Sequence, residues 1–149
     1  MIATDKKYLM IYPNNDLGSS IILDAYQTLK ENPNFRILPS VRFEYFLTLL
    51  KNADFIIGNS SAGVREAPYY GVPTINIGTR QQNRINLMDI QNIDCKAEQI
   101  VGAIADMKEK NITESVQAFG NGNSAALFLK SLENKAIWNI NHQKQFRDI

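Results

Sequence analysis

Residues 54–66 read DFIIGNSSAGVRE, and this stretch decides the fold. Its first four residues are mostly apolar and predict a buried strand over 54–57. The strand passes directly into small residues at 58–61, and a helix is predicted to follow over 62–70, ended by Gly71. A buried strand that turns through small residues into a helix is typical of α/β proteins with a parallel sheet.

The same alternation of strands and helices continues on both sides of this stretch. Further strands are predicted over residues 7–12, 35–38, 73–77 and within 85–94, and helices over residues 19–31, 43–51, 96–108, 125–132 (capped by Ser124) and 136–146. We therefore expect a single α/β domain over residues 1–149, with a Rossmann-like, mostly parallel sheet and helices on both faces.

Composition and charge exclude several classes of protein. The chain has 44% hydrophobic and 21% charged residues, which is ordinary for a globular domain. Its net charge of +1 gives no electrostatic reason to expect nucleic acid or an anionic membrane as a partner. No apolar run approaches the ~20 residues that span a bilayer, and the first residues do not resemble a secretion signal, so we expect a cytoplasmic protein.

Metal and nucleophile chemistry have little support in the sequence. The only cysteine, Cys95, cannot form a disulfide within the chain, and we expect it to be a buried structural thiol. The only histidine, His142, lies in the C-terminal tail, far in sequence from Ser60, so a serine triad is unsupported. No group of His, Cys, Asp and Glu has metal-ligand spacing, and neither a metal nor a cofactor is expected.

Ligands of open parallel sheets bind beyond the carboxyl ends of the strands. That rule directs attention to the loops over 13–19, 58–62 and 78–84. Ser60 and Ser61 stand where a strand opens into a helix, so backbone N–H groups and the positive end of the helix dipole favour an anion there, most often a phosphate. The alternative, supported about equally, is that one of these serines only caps the helix.

Charged residues flank this predicted anion site. Glu66 lies one to two turns into the predicted helix, where a carboxylate could accept hydrogen bonds from both hydroxyls of a ribose; the alternative is a surface glutamate that favours the helix N-terminus. Arg80 and Arg84 lie in the loop over 78–84, and guanidinium groups bind phosphates in a fork. The alternative for this loop is a solvated surface segment.

Several motifs, in this order, resemble the hydrolysing UDP-N-acetylglucosamine 2-epimerases, and most closely their sialic-acid branch. The two longest are NSSAGVRE at residues 59–66 and GVPTINIGTRQQNR at residues 71–84. Shorter motifs are YPNNDLGS at 12–19, NPNFR at 32–36 and GNGN at 120–123. The resemblance covers roughly residues 7–133, and its specificity comes from the motifs taken together.

The resemblance implies two Rossmann-like domains that face each other across a cleft, as in the GT-B class of glycosyltransferases. This sequence would be the second, C-terminal domain, which carries the UDP. By position, six residues would contact the nucleotide: Ser60 and Ser61 at the diphosphate, Glu66 at the ribose, Arg80 and Arg84 near the phosphates, and Phe46 at the uracil through its backbone.

The family reaction implied is an elimination followed by a hydration, which gives N-acetylmannosamine and UDP from UDP-N-acetylglucosamine. The family's acid and base residues lie in the first domain and around the hinge, so no catalytic residue is expected in this sequence. The expected partners are a UDP-sugar, that first domain and, through an exposed interdomain face, a second copy of the chain. UDP enters as part of the substrate or as product, not as a cofactor.

Two other functions fit many of the same residues. The donor-nucleotide-binding domain of a GT-B glycosyltransferase would share the fold and the ribose glutamate, although GTRQ at residues 78–81 favours the epimerase. A non-catalytic nucleotide-binding module would share the predicted site. Residues 20–27 lack the arginines with which the animal enzyme binds a feedback inhibitor, so that regulation is not expected and a bacterial origin is favoured.

Overall fold

The computed structural model describes residues 4–85, 87–107 and 115–139. The chain forms two compact units, residues 1–116 and residues 117–149. The first unit contains the strands β1 (Tyr8–Ile11), β2 (Phe35–Leu38), β3 (Ile56–Gly58), β4 (Thr74–Ile77) and β5 (Ile90–Ile93) and the helices α1 (Ser19–Gln27), α2 (Phe43–Lys51), α3 (Glu66–Tyr69) and α4 (Ala97–Asp106). The second contains α5 (Ser124–Glu133) and α6 (Lys135–Trp138).

Every strand pair among the described residues is parallel, which confirms the α/β class. β4 is hydrogen-bonded to β3 on one side and to β5 on the other, and β1 is hydrogen-bonded to β2. The strands therefore form two hydrogen-bonded groups rather than one continuous ladder. Between these groups, Lys6 next to β1 forms an ion pair with Asp54 at 2.8 Å and lies 5.8 Å from the centre of the Phe55 ring.

Helices cover both faces of the three-stranded group, as expected. Two adjacent residues of β3 show this directly, because successive side chains of a strand point to opposite faces. Ile57 packs with Ile75 of β4 and Ile104 of α4, whereas Ile56 packs with Leu50 of α2 and with α3. The continuous apolar run of β3 thus serves two cores at once, which is typical of a buried parallel strand.

A third apolar cluster supports the β1–β2 pair. Tyr8 and Phe35, which are register partners, stack with their ring centres 5.2 Å apart, and both pack against Leu29. Leu29 lies just beyond α1, which ends at Gln27 instead of continuing to Glu31 as predicted. Residues 28–31 continue as turns, and the N–H groups of Thr28, Leu29 and Lys30 bond to carbonyls three residues earlier.

The helix predicted over 62–70 is broken in the structure. Ser61–Gly63 form a single 3-10 turn, and α3 starts only at Glu66. A continuous helix would require Pro68 to donate an N–H to Val64, but proline has no N–H and its ring would clash with that carbonyl. Pro68 instead occupies the first turn of α3, where a helix tolerates it.

The other boundaries agree with the sequence to within a few residues, with one correction. Ser124 is the first helical residue of α5 and not its cap; Asn123 is the cap residue, and it makes no side-chain capping bond. The strand predicted within 85–94 is β5. Lys108, at the predicted end of α4, and residues 140–146 of the last predicted helix lie outside the described residues, as does His142. Among the described helices, none has the length and apolar character needed to cross a membrane.

Candidate functional site

The carboxyl ends of β3 and β4 lie side by side, so the two loops that follow them start from the same edge of the sheet. Gly58, the last residue of β3, is the register partner of Asn76 in β4. After each of these two strands the backbone turns away from the sheet at a glycine with positive φ, which is 145° at Gly58 and 78° at Gly78. This conformation is one that other residues adopt only with strain.

A single carbonyl oxygen joins these two loops. The main-chain oxygen of Asn59 accepts a hydrogen bond from Nη1 of Arg80 at 3.0 Å and another from Nε2 of Gln81 at 2.9 Å. The loop after β4 is thereby attached to the loop after β3, and Arg80 lies beside the Ser60–Ser61 segment. We call this arrangement of Asn59, Arg80 and Gln81 the loop clamp.

Ser60 and Ser61 begin the 3-10 turn. The side chain of Ser60 accepts a hydrogen bond from the N–H of Ala62 at 3.3 Å, so it fills the capping role that was the alternative interpretation of this residue. The N–H of Gly63 bonds to the Ser60 carbonyl, whereas the N–H of Ser61 makes no hydrogen bond among the described residues. The dipole behind this segment is weak, because α3 has only four residues.

A close approach fixes the 3-10 turn against β4. Thr74 Oγ1 donates a hydrogen bond to the Gly63 carbonyl at 2.7 Å, and Thr74 is 2% exposed. A β-carbon on Gly63 would lie 2.7 Å from Thr74 Cγ2, closer than real β-carbons come to other atoms. Glycine is therefore required for the turn to lie this close to the strand.

Glu66 is the first residue of α3 and is half-buried. Its Oε2 is fully buried and has no hydrogen-bond partner among the described residues. A buried carboxylate oxygen without a donor is costly, so this arrangement does not fit a fully solvated surface glutamate.

Two predicted residues stand outside the loop clamp. Phe46 lies on α2, and its ring packs against the core cluster that includes Ala67 of α3; its N–H is used within the helix, bonded to the Arg42 carbonyl at 2.9 Å. Both main-chain groups of Phe46 lie within α2, and the predicted uracil contact remains a prediction. Arg84 is exposed, and no hydrogen bond or ion pair within the described parts of the chain connects it to Ser60 or Ser61.

No local pattern in the sequence distinguishes Gln81 from its neighbour Gln82. It is 2% exposed, and its Oε1 is buried with no partner among the described residues. The neighbouring Gln82 is exposed, and its Nε2 only reaches the Gly78 carbonyl at 3.4 Å. Two identical residues in a polar loop differ in burial because of the tertiary path of the loop, which no local pattern encodes.

Other candidate groups do not form a second site within the residues that the structure describes. No cluster of His, Cys, Asp and Glu there could hold a metal ion. Cys95 is a free, exposed thiol, so the expectation of a buried one was wrong; it lies in the turn between β5 and α4. Burial raises the pKa of Tyr26, whose ring lies 6.2 Å from that of Tyr12 beyond the end of β1.

Comparisons with known proteins agree on a family. The family model described as UDP-N-acetylglucosamine 2-epimerase matches residues 1–133. The UDP-N-acetylglucosamine 2-epimerase of Neisseria meningitidis serogroup B is 43% identical over 145 residues, which are 95% of this chain and 38% of that protein. The UDP-N,N'-diacetylbacillosamine 2-epimerase (hydrolyzing) of Legionella pneumophila is 26% identical, over 83% of this chain and 33% of that protein.

A solved structure shows the same fold. It is the UDP-GlcNAc 2-epimerase of Methanocaldococcus jannaschii, determined in complex with UDP-GlcNAc and UDP. The match has a TM-score of 0.72 at 24% identity, and it covers 87% of this chain and 36% of that one. The present chain thus spans about a third of the length of the relatives that it matches.

Proposed function

The chain belongs to the UDP-N-acetylglucosamine 2-epimerase family, and we propose that it is the UDP-binding part of a hydrolysing member of that family. The observation that carries this proposal is the position of Glu66, which begins α3 shortly after the 3-10 turn Ser61–Gly63 and has a carboxylate oxygen without a partner among the described residues. A carboxylate at this position is suited to accept hydrogen bonds from the two hydroxyls of a ribose. A second domain supplies the rest of the active site in this proposal, since the relatives are about two and a half times as long as this chain.

The diphosphate lies over the 3-10 turn in this proposal. The free N–H of Ser61 and the serine hydroxyls donate to it from one side. Arg80 approaches from the other side, because its Nη1 is held by the Asn59 carbonyl while the rest of its guanidinium keeps donors for phosphate oxygens. Arg84, which is exposed in the same loop, adds long-range attraction, and the backbone of α2 at Phe46 contacts the uracil in this proposal.

The proposed reaction occurs in two steps. In the first, a base of the other domain removes the proton at C2 of the sugar while the C1–O bond breaks and UDP leaves with the electron pair, which gives a glycal. In the second, water adds across the double bond, with hydroxyl at C1 and a proton at C2 on the opposite face, and N-acetylmannosamine results. The present chain contributes donors aimed at the negative charge that UDP gains as it leaves.

The wider role proposed is cytoplasmic synthesis of sialic-acid-type or capsular sugars. It is supported by the motifs shared with the sialic-acid branch and by the match to hydrolysing relatives. A GT-B glycosyltransferase is less well supported, because the family match extends over residues 1–133. Release of free sugar with UDP, and no glycosylated acceptor, distinguishes the two once both domains are present.

Calorimetric titration of UDP into the purified chain tests the proposal. Wild type should bind weakly but saturably, and Glu66→Gln should bind about tenfold more weakly or worse, because one charged acceptor of the ribose hydroxyls is lost. Glu44→Gln is the matched control, since Glu44 is an exposed glutamate in the first turn of α2, and it should bind as wild type does.

Two results would contradict the proposal. One is equal UDP affinity in wild type and Glu66→Gln. The other is no binding by a folded wild-type chain both alone and after addition of the first domain of the Neisseria meningitidis relative. Binding that appears only with the added domain would support the proposal and show that the site closes between the domains.

A further inference from the structure

Gln81 is a buried polar side chain, and among the described residues its side chain makes one hydrogen bond, to the neighbouring loop. Its Nε2 donates to the Asn59 carbonyl, and its Oε1 is buried without a partner among the described residues. We infer that Gln81 is a positioning residue for UDP: it fixes the Ser60–Ser61 segment relative to Arg80 without touching the nucleotide. The inference rests on the proposed function, because it concerns the diphosphate end of the same site.

Folding alone does not explain a glutamine at this position. A buried amide oxygen without a donor lowers stability, and an apolar side chain of the same length would fill the space without that penalty. Asn59 is exposed, so the bond made by the Gln81 amide joins two surface loops and not two elements of the core. The benefit of the amide therefore lies in the relative position of the loops.

The hydrogen bonds to the Asn59 carbonyl oxygen show how Gln81 can position the Arg80 guanidinium. A carbonyl oxygen has two lone pairs, and here Gln81 and Arg80 each donate to the Asn59 oxygen. The bond from Gln81 is well held, because a side chain that is only 2% exposed has little room to move. It holds the carbonyl in the orientation that Arg80 also uses, and so keeps the guanidinium at a fixed distance from the 3-10 turn.

This arrangement predicts a selective loss when the amide is removed. Without the Gln81 bond, the 3-10 turn and Arg80 can shift relative to each other, so the donors on the two sides no longer match the diphosphate. The helices that carry Glu66 and Phe46, α3 and α2, pack together through Ala67 and Leu50, so recognition of the ribose and uracil stays intact. UDP should lose affinity, whereas uridine should not.

The test compares Gln81→Met with the matched control Gln82→Met, in the full chain. Calorimetry with UDP and with uridine gives the two affinities, and thermal unfolding gives the stability. We expect Gln81→Met to bind UDP about threefold to tenfold more weakly, corresponding to the loss of one neutral hydrogen bond. Uridine affinity and melting temperature should stay close to wild type, and Gln82→Met should be unchanged in all three measurements.

Amide hydrogen exchange of residues 59–64 provides a readout that does not depend on UDP. Faster exchange in Gln81→Met than in Gln82→Met shows that Gln81 holds the 3-10 turn, and this result can be obtained even if the wild-type chain binds no UDP and the proposed function fails. Unchanged exchange overturns the inference. The inference is also overturned if Gln81→Met binds UDP as wild type does, if UDP and uridine lose affinity equally, or if the variant only melts at a lower temperature.

Discussion

The contact between Gly63 and Thr74 gives a prediction that is independent of any ligand. In Gly63→Ala, the new β-carbon would lie 2.7 Å from Thr74 Cγ2, whereas carbon atoms in contact prefer about 3.5–4.0 Å. The 3-10 turn must therefore move away from β4 by about 1 Å. Overpacking of this kind costs about 1–3 kcal/mol, and stretching the Thr74 bond to the Gly63 carbonyl, now 2.7 Å, costs up to about 1 kcal/mol more.

One effect acts in the opposite direction. Alanine restricts the unfolded chain more than glycine does, which recovers about 0.4–1 kcal/mol where the native backbone accepts it. The net loss in the free energy of unfolding should be about 2 kcal/mol. For a chain of 149 residues, this corresponds to a melting temperature lower by about 4–8 °C.

A double-mutant cycle measured by urea unfolding tests the mechanism. Thr74→Ser removes Cγ2 but keeps the hydroxyl that donates to Gly63, so it should cost only about 1 kcal/mol by itself. In that background Gly63→Ala should be nearly neutral, which gives a coupling energy of about 1–2 kcal/mol. If Gly63→Ala is equally destabilising in both backgrounds, the contact with the Thr74 methyl is not the cause and the reasoning fails.

Two further predictions concern polar contacts elsewhere in the sheet. Asn76 is 1% exposed, and its Nδ2 donates a hydrogen bond to Asn92 Oδ1 at 2.7 Å. Asn92→Ala should lower the free energy of unfolding in urea by about 1–3 kcal/mol, because a buried donor loses its partner. Asn92→Asp keeps an acceptor and should cost clearly less. Lys6→Met should cost under about 1 kcal/mol, because Asp54, its ion-pair partner, has a side chain that is 74% exposed. Adding salt should reduce the Lys6 effect and leave the Asn92 effect unchanged, and the opposite pattern would contradict both assignments.

The sequence predicts the scaffold well because the scaffold depends on local patterns. The apolar runs, the turn residues between them and their alternation with helices suffice for a parallel α/β fold. Phe35–Leu38 and Phe43–Lys51 have the predicted boundaries. The rule that loops meet at the carboxyl edge also predicts that the loops over 58–62 and 78–84 lie close together, and Arg80 bonds to the main-chain oxygen of Asn59, 21 positions earlier in the chain.

Most features of the site that the sequence does not predict depend on tertiary contacts; the break in the helix over 62–70 is the exception. Gln81 and Gln82 differ only in where the folded loop places them. Glu66 Oε2 is buried without a hydrogen-bond partner among the described residues because of the packing around it, which the sequence does not show. The break in the helix over 62–70, by contrast, was readable, because Pro68 cannot lie within an uninterrupted helix that begins at residue 62.

The three positions of the loop clamp restrict the amino-acid sequence to different degrees. Arg80 and Gln81 act through their side chains, but their shared acceptor is the main-chain oxygen of Asn59, which all twenty amino acids possess. A substitution at position 59 changes an exposed side chain and leaves the acceptor in place, whereas substitutions at 80 or 81 remove a donor. In a saturation library, position 59 should therefore tolerate many residues and position 81 few, so this half of the contact can vary freely over evolutionary time.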